Sequence, residues 1–185
     1  VADTSDFRTG FTLRYKGELW SIVDFQHVKP GKGGAFVRTR LKAIRSGKVL
    51  EETFRAGEKV EEVRLERRPY QYVYNDGEFF TFMNLETYEQ IQLHKDALGD
   101  LPLYVKESDV CSILLHEGTP LTVEPPLTVE LEVQQTDPGV RGDTAQGGNK
   151  PATMETGLVV QVPLFIEEGE VLKIDSRTGK YLGRV

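Results

Sequence analysis

Apolar and polar positions alternate along most of this chain in short runs broken by Gly, Pro, Asn and Asp, the pattern of small β-barrels or sandwiches. The clearest run is 35–44. There Ala35, Val37, Thr39, Leu41 and Ala43 point one way while Phe36, Arg38, Arg40, Lys42 and Ile44 point the other, so one face is core and the other presents three successive cations. Lys16-Gly17 reads as a turn between strands at 11–15 and 18–25. Tyr70, Tyr72 and Tyr74 recur with period 2, Asn75-Asp76-Gly77 supplies residues that tolerate positive φ, and 79–83 returns as the partner strand of a hairpin. Leu127, Val129, Leu131 and Val133 alternate with Thr128, Glu130, Glu132 and Gln134, and 158–166 and 171–174 read as further strands. Helix is scarce, with a short piece at 94–98 the best candidate.

Two boundaries divide this pattern. Charge character changes around 61–68, ahead of the tyrosine-rich hairpin, and Pro125-Pro126 interrupts two strands because proline cannot donate to a ladder. Three barrels of about 60 residues each follow, at 1–62, 63–125 and 126–185. The echo Pro-Leu-Thr-Val-Glu at 120–124 and 126–130 is too short to signal a repeat architecture.

Composition narrows the class. With 185 residues, 38% apolar and 28% charged, the chain has enough apolar material for packed cores. No run approaches the roughly 20 apolar residues of a membrane helix, and 1–6 has neither a basic nor an apolar leader-like segment. The lone Cys111 cannot form an internal disulfide or a cysteine-based zinc site, so a reducing compartment, the cytoplasm, is expected. Net charge is −6, but it is unevenly spread: +3 over 1–62 (12 basic, 9 acidic), −6 over 63–125 (5 basic, 11 acidic) and −3 over 126–185 (6 basic, 9 acidic). Residues 25–50 carry Lys29, Lys32, Arg38, Arg40, Lys42, Arg45 and Lys48 and no carboxylate. A basic end on an acidic body suits an oriented polyanion contact, and it equally suits a solvated sheet face.

Most catalytic chemistry is missing. His27, His94 and His116 lie far apart with no partner at metal-ligand spacing, so neither a metal nor a cofactor is expected. There is no Gly-x-Ser-x-Gly elbow, and Cys111 sits in an apolar run that reads as core. Gly31-Lys32-Gly33-Gly34 lacks the earlier Gly, the following Ser/Thr and the helix of a phosphate loop. What stands out is the whole segment Lys29-Pro30-Gly31-Lys32-Gly33-Gly34 between two strands. Three glycines remove bulk and Pro30 restricts one arm, so Lys32 projects alone from a hairpin tip. The alternative is a glycine turn whose lysine merely keeps an edge soluble, and the basic flanks shift the balance toward contact with phosphates, since neutralisation depends on local charge.

The chain resembles bacterial elongation factor P over essentially its whole length. The resemblance is carried by Val28-Lys29-Pro30-Gly31-Lys32-Gly33-Gly34-Ala35-Phe36, by Tyr72-Val73-Tyr74-Asn75-Asp76-Gly77-Glu78 and by Thr136-Asp137-Pro138-Gly139-Val140-Arg141-Gly142-Asp143-Thr144. Lys150, Ala152, Gly157, Val160, Val162-Pro163, Ile166 and Gly169 add a spaced pattern, and 175–185 resembles the family's ending. It implies an all-β fold of three small barrels in an L, the first SH3-like (KOW-type) and the next two OB-folds. It further implies a monomeric, non-enzymatic factor that binds both ribosomal subunits between the peptidyl and exit sites and relieves stalling on consecutive prolines. On that resemblance Lys29, Pro30, Gly31, Lys32, Gly33, Gly34, Arg38, Arg40 and Lys42 face peptidyl-site tRNA and rRNA, with Lys32 reaching the CCA end. A lysine-modifying enzyme acting on Lys32 is implied as a second partner. Arg141, Gly142, Asp143 and Thr144 fall near the small subunit and the exit-site codon, and Tyr181 and Arg184 are C-terminal contact candidates. Two rivals stay open on the residues alone. One is a β-barrel hydrolase using a carboxylate and a histidine. The other is an RNA-binding ribosomal or transcription accessory protein with an SH3-like barrel and no role in peptide-bond formation.

Overall fold

Strand-forming segments this short cannot bury a face alone, and the computed structural model, which describes residues 1–139 and 148–185, shows how they combine. The first sheet contains β1 (Ala2–Asp3), β2 (Thr12–Tyr15), β3 (Glu18–Val28), β4 (Phe36–Ala43), β5 (Val49–Arg55) and β6 (Lys59–Glu62), in the order β1-β6-β2-β3-β4-β5. Every one of these strands sends a buried side chain into one cluster: Ala2, Leu13, Trp20 and Ile22, Val37 and Leu41, Phe54, and Val60. A sheet whose six strands share one core must curl around it. Phe7 and Phe11 fill the interior from the β1–β2 connection, with Phe7 edge-on to Phe54 at 5.5 Å.

The second sheet, ordered β11-β10-β7-β8-β9, contains β7 (Glu66–Asn75), β8 (Phe79–Asn84), β9 (Gln90–His94), β10 (Val110–His116) and β11 (Thr119–Glu124). The β7–β8 hairpin turns as the sequence predicts. Gly77 has φ +99°, and the Asp76 carboxylate accepts from the backbone N–H of Phe79 and Glu78, which holds its pKa below the usual aspartate value. The period-2 face does not run through to the turn. The register slips between Tyr72 and Tyr74, so Tyr70 and Tyr72 are buried while Tyr74 is 46% exposed. A one-residue bulge flips the strand face beyond it.

The third sheet is ordered β14-β13-β12-β15-β16 and contains β12 (Thr128–Thr136), β13 (Asn149–Met154), β14 (Val159–Pro163), β15 (Val171–Asp175) and β16 (Tyr181–Arg184). Val129, Leu131 and Val133 face its core with Met154, Val160, Val162, Leu172 and Ile174. Leu127 does not join them. It precedes the first strand residue and is 67% exposed, its carbonyl taken by the Ser176 N–H at 3.0 Å. The strand expected over 158–166 stops at Pro163, where the chain turns and the Ile166 N–H donates to the Pro163 carbonyl at 3.2 Å. Ile166 still enters the core, so its burial comes from a turn and not from strand alternation.

No α-helix occurs among the described residues. The segment expected to be helical at 94–98 is one 3-10 turn at Lys95–Ala97, whose Asp96 N–H donates to the His94 ring at 3.2 Å. By compactness the chain divides into two units, Val1–Arg67 with Leu114–Thr122, and Arg68–Ile113 with Val123–Val185. No helix of the described residues is long and apolar enough to cross a membrane.

The packing bears on both stability and reactivity. A Cβ at Gly139 would collide with the backbone carbonyl oxygen of Leu164, which cannot swing away as a side chain would. Gly139→Ala is expected to cost about 1–3 kcal/mol, read as a lowered urea midpoint at unchanged slope. Cys111 is buried, and desolvation pushes its thiol up to about 12. The reactive thiolate is then scarce at neutral pH, so iodoacetamide should label Cys111 only as fast as the protein opens.

Candidate RNA-facing site

The Lys32 loop is built by the longest hairpin of the first sheet. β3 and β4 pair from Trp20↔Ala43 to Val28↔Phe36, with a slip between Ile22 and Asp24 that leaves Val23 facing solvent. Beyond the last pair the chain has no ladder to join. Its base is closed instead by the Ala56 N–H, which donates to the Ala35 carbonyl at 3.1 Å. Lys29, Pro30, Gly31, Lys32, Gly33 and Gly34 are all exposed, and Lys32 makes no hydrogen bond or ion pair among the described residues.

The glycines of this loop are not equivalent. Gly33 has φ +102°, a conformation that disfavours any side chain. Gly31 and Gly34 have no such angle, and a Cβ on either would meet nothing within 4 Å. The fold therefore does not require glycine at 31 or 34; what could require it is a surface that approaches the tip closely. Gly31→Ala is accordingly expected to leave the melting temperature unchanged or slightly raised while weakening function, a split visible by pairing calorimetry with a translation assay.

The outward face of β4 carries Arg38, Arg40 and Lys42, all exposed, above buried Val37, Thr39, Leu41 and Ala43, as the alternation predicts. The Arg38 guanidinium lies 5.8 Å from the Phe36 ring centroid. Cross-strand neighbours divide the three cations. Arg38 stands between Gln26 and Thr53, Lys42 between Ser21 and Val49, and Arg40 between Asp24 and Glu51. The carboxylate-free stretch of sequence thus meets two carboxylates in space, at its middle position. Neither lies within ion-pairing distance of Arg40 among the described residues, yet directly opposed strand positions are close enough to lower the local potential. Glu52, by contrast, is occupied, accepting from the Tyr15 hydroxyl at 2.8 Å and facing Lys16 at 3.6 Å. Burial first, then the Glu52 contact, raises the Tyr15 pKa above its ordinary value.

His27, an ordinary strand or loop histidine by its sequence context, is exposed on β3 beside the loop and meets Phe25 edge-on at 5.7 Å. At the far end of the chain, Tyr181 is half-buried against the third core, and Arg184 pairs with Glu170 at 3.1 Å while its guanidinium lies 4.8 Å from the Phe165 ring centroid. The Glu170 carboxyl is held below its usual range, chiefly by the Glu167 backbone N–H and then by Arg184. Arg141, Gly142, Asp143 and Thr144 lie outside the described residues. Lys150, near them in sequence, is buried and donates to the Asp137 carbonyl. Among the described residues no group of three His, Cys, Asp or Glu could hold a metal ion.

The same fold is seen in eukaryotic translation initiation factor 5A from Methanococcus jannaschii, 24% identical, which covers 67% of this chain and 91% of its own with a TM-score of 0.54. A translation initiation factor eif-5a family protein from Naegleria fowleri ATCC 30863, 16% identical, covers 66% and 93% with a TM-score of 0.52. The architecture is a curled KOW-like sheet followed by two OB-like half-barrel sheets, here carrying an exposed lysine on a glycine tip. Models of one family match the chain in sequence: the elongation factor P KOW-like domain over 3–60, its OB domain over 65–123 and its C-terminal domain over 129–184. Elongation factor P of Caldanaerobacter subterraneus subsp. tengcongensis is 56% identical over 180 residues, 97% of each chain. That of Agathobacter rectalis is 54% identical over 185 residues, all of both chains. The chain is built as a translation factor. It belongs to the elongation factor P family.

Proposed function

We propose that this protein acts in the cytoplasm as a monomer, binds the ribosome between the peptidyl and exit sites and speeds peptide-bond formation at consecutive prolines. In this reading three domains at 1–62, 63–125 and 126–185 share the work. The first lays β4 along the acceptor arm of peptidyl-site tRNA and carries Lys32, extended by a modifying enzyme, to the CCA end. The 141–144 segment, with Tyr181 and Arg184, serves the small-subunit side. The observation that carries this reading is Lys32 itself, exposed and unpartnered among the described residues, on a tip where two glycines have no use within the fold.

The chemistry is one of orientation. Proline is a hindered cyclic amine with a fixed φ, and a reactant misplaced by about 1 Å can cost around 10²-fold in rate. A cation at the end of a narrow arm can hold the tRNA terminus in a reactive pose without supplying a nucleophile or base. The test is a reconstituted translation system reading messages with and without three successive proline codons. Added protein should accelerate only the first. Ribosome binding with no change in either rate would instead support an accessory RNA-binding protein.

A further inference from the structure

At the other end of the first sheet lies a cleft of about 390 Å³, lined entirely by residues of the first compact unit. Ala43 borders it, seven residues along β4 from Phe36, which places it roughly 23 Å from the Lys32 loop. Three hairpins meet there. Gly17 comes from the β2–β3 turn, Arg45 and Ser46 from the β4–β5 turn, and His116 and Leu121 from the β10–β11 hairpin. The first two turns are tied together by the Ile44 N–H, which donates to the Leu19 carbonyl at 3.0 Å.

Its lining has two chemistries. Arg14, Arg45 and His116 supply nitrogen donors, and Ser46 adds a hydroxyl; Leu19, Ala43 and Leu121 supply an apolar wall. Arg14 uses its Nε on Glu61 at 3.4 Å, and neither the Arg45 nor the His116 side chain has a hydrogen bond or ion pair among the described residues. Glu18 is the one carboxylate on the lining among the described residues. Guanidinium forks match phosphate oxygens, but a bare phosphate would leave the apolar wall unused. The volume falls within the roughly 300–1,000 Å³ of small-molecule sites.

We propose that this cleft binds a nucleoside phosphate, the phosphate held by Arg45 and Arg14 and the sugar and base resting on Leu19, Ala43 and Leu121. The nucleotide is either free or one unit of an RNA strand. The site is separate from the Lys32 loop, so it stands or falls independently of the role proposed for that loop.

Isotope-labelled full-length protein titrated with AMP, adenosine and a single-stranded RNA lacking terminal phosphates tests this by NMR. AMP should shift the His116 and Leu121 signals saturably, and adenosine should bind far more weakly. Arg45→Gln should weaken AMP by about tenfold or more, and Glu18→Gln should strengthen it by removing the repelling carboxylate. Lys32→Ala should leave AMP binding unchanged. Both cleft variants alter exposed side chains, and unchanged melting temperatures show that the fold is kept. RNA that moves the same signals and competes with AMP identifies a strand nucleotide as the ligand; AMP alone doing so identifies a free one. No saturable shift at His116 with either ligand, adenosine binding as well as AMP, or an Arg45→Gln protein that binds AMP as the parent does would overturn the assignment.

Discussion

Lys32→Ala is expected to abolish the acceleration of proline-run synthesis while leaving the protein as stable as before. The two halves of that result rest on different observations. Lys32 is exposed and makes no hydrogen bond or ion pair among the described residues, and substitutions at such positions stay within about 0.5 kcal/mol. Its loop is shaped without it, by the β3–β4 ladder, the positive φ of Gly33 and the Ala56–Ala35 hydrogen bond. The cation is therefore free for a partner, and removing it leaves the arm in place with nothing at its end. Lys32→Arg is expected to fail too wherever an enzyme must extend the amine, because a guanidinium is a poor nucleophile with a different shape. Melting temperature and single-turnover peptide-bond rates on a proline-run message measure both halves. Full acceleration by a well-folded Lys32→Ala protein would remove the proposed role.

Much of the fold is legible in the chain because its strands are half-buried, and half-burial writes itself as alternation. The alternation read over 35–44 carries over onto β4 from Val37 to Ala43, with Ala35 and Ile44 falling outside the strand, and Asn75-Asp76-Gly77 turns where its backbone tolerance says it should. The misreadings share a cause. Alternation extended past a bulge misplaces Tyr74, alternation extended past a strand end misplaces Leu127, and neither event leaves a mark in residue type. The short strands β1 and β6 are equally silent. Two residues at Ala2–Asp3 carry no period, and they are held as a strand only because they pair with Val60 and Lys59 of β6.

The candidate site is less legible, since pairing register is a tertiary fact. The chain reads as carboxylate-free from 25 to 50, and that is correct as sequence. Asp24 and Glu51 stand immediately outside that window and come back beside Arg40 because β3 and β5 both pair with β4. The slip at Val23 decides which β3 residue faces Arg40, and without it the opposed residue would be Val23. The cleft near Arg45 is hidden for the same reason. Its lining comes from residues as far apart as Arg14 and Leu121, and no spacing rule joins them.

Replacing Arg38, Arg40 and Lys42 together by Gln is expected to weaken ribosome binding strongly and to flatten its salt dependence by roughly 0.7–0.9 in slope for each phosphate no longer neutralised. The fold should survive, because all three side chains are exposed and the buried half of β4 is untouched. The contributions are not equal. Arg38 and Lys42 have neutral residues opposite them on both sides, so their full charge faces outward. Arg40 is partly compensated by Asp24 and Glu51, and its single substitution should cost the least. The converse is the sharper result. Asp24→Asn with Glu51→Gln removes the compensation while keeping every cation, so binding should tighten and the salt slope should steepen. Both carboxylates are exposed and neither forms a salt bridge among the described residues; Asp24 accepts only the Phe25 N–H, which an asparagine oxygen can still satisfy. Ribosome affinity measured across a salt series distinguishes the cases. A triple-Gln protein with the parent's salt slope would take this strand face off the RNA, whatever Lys32 does.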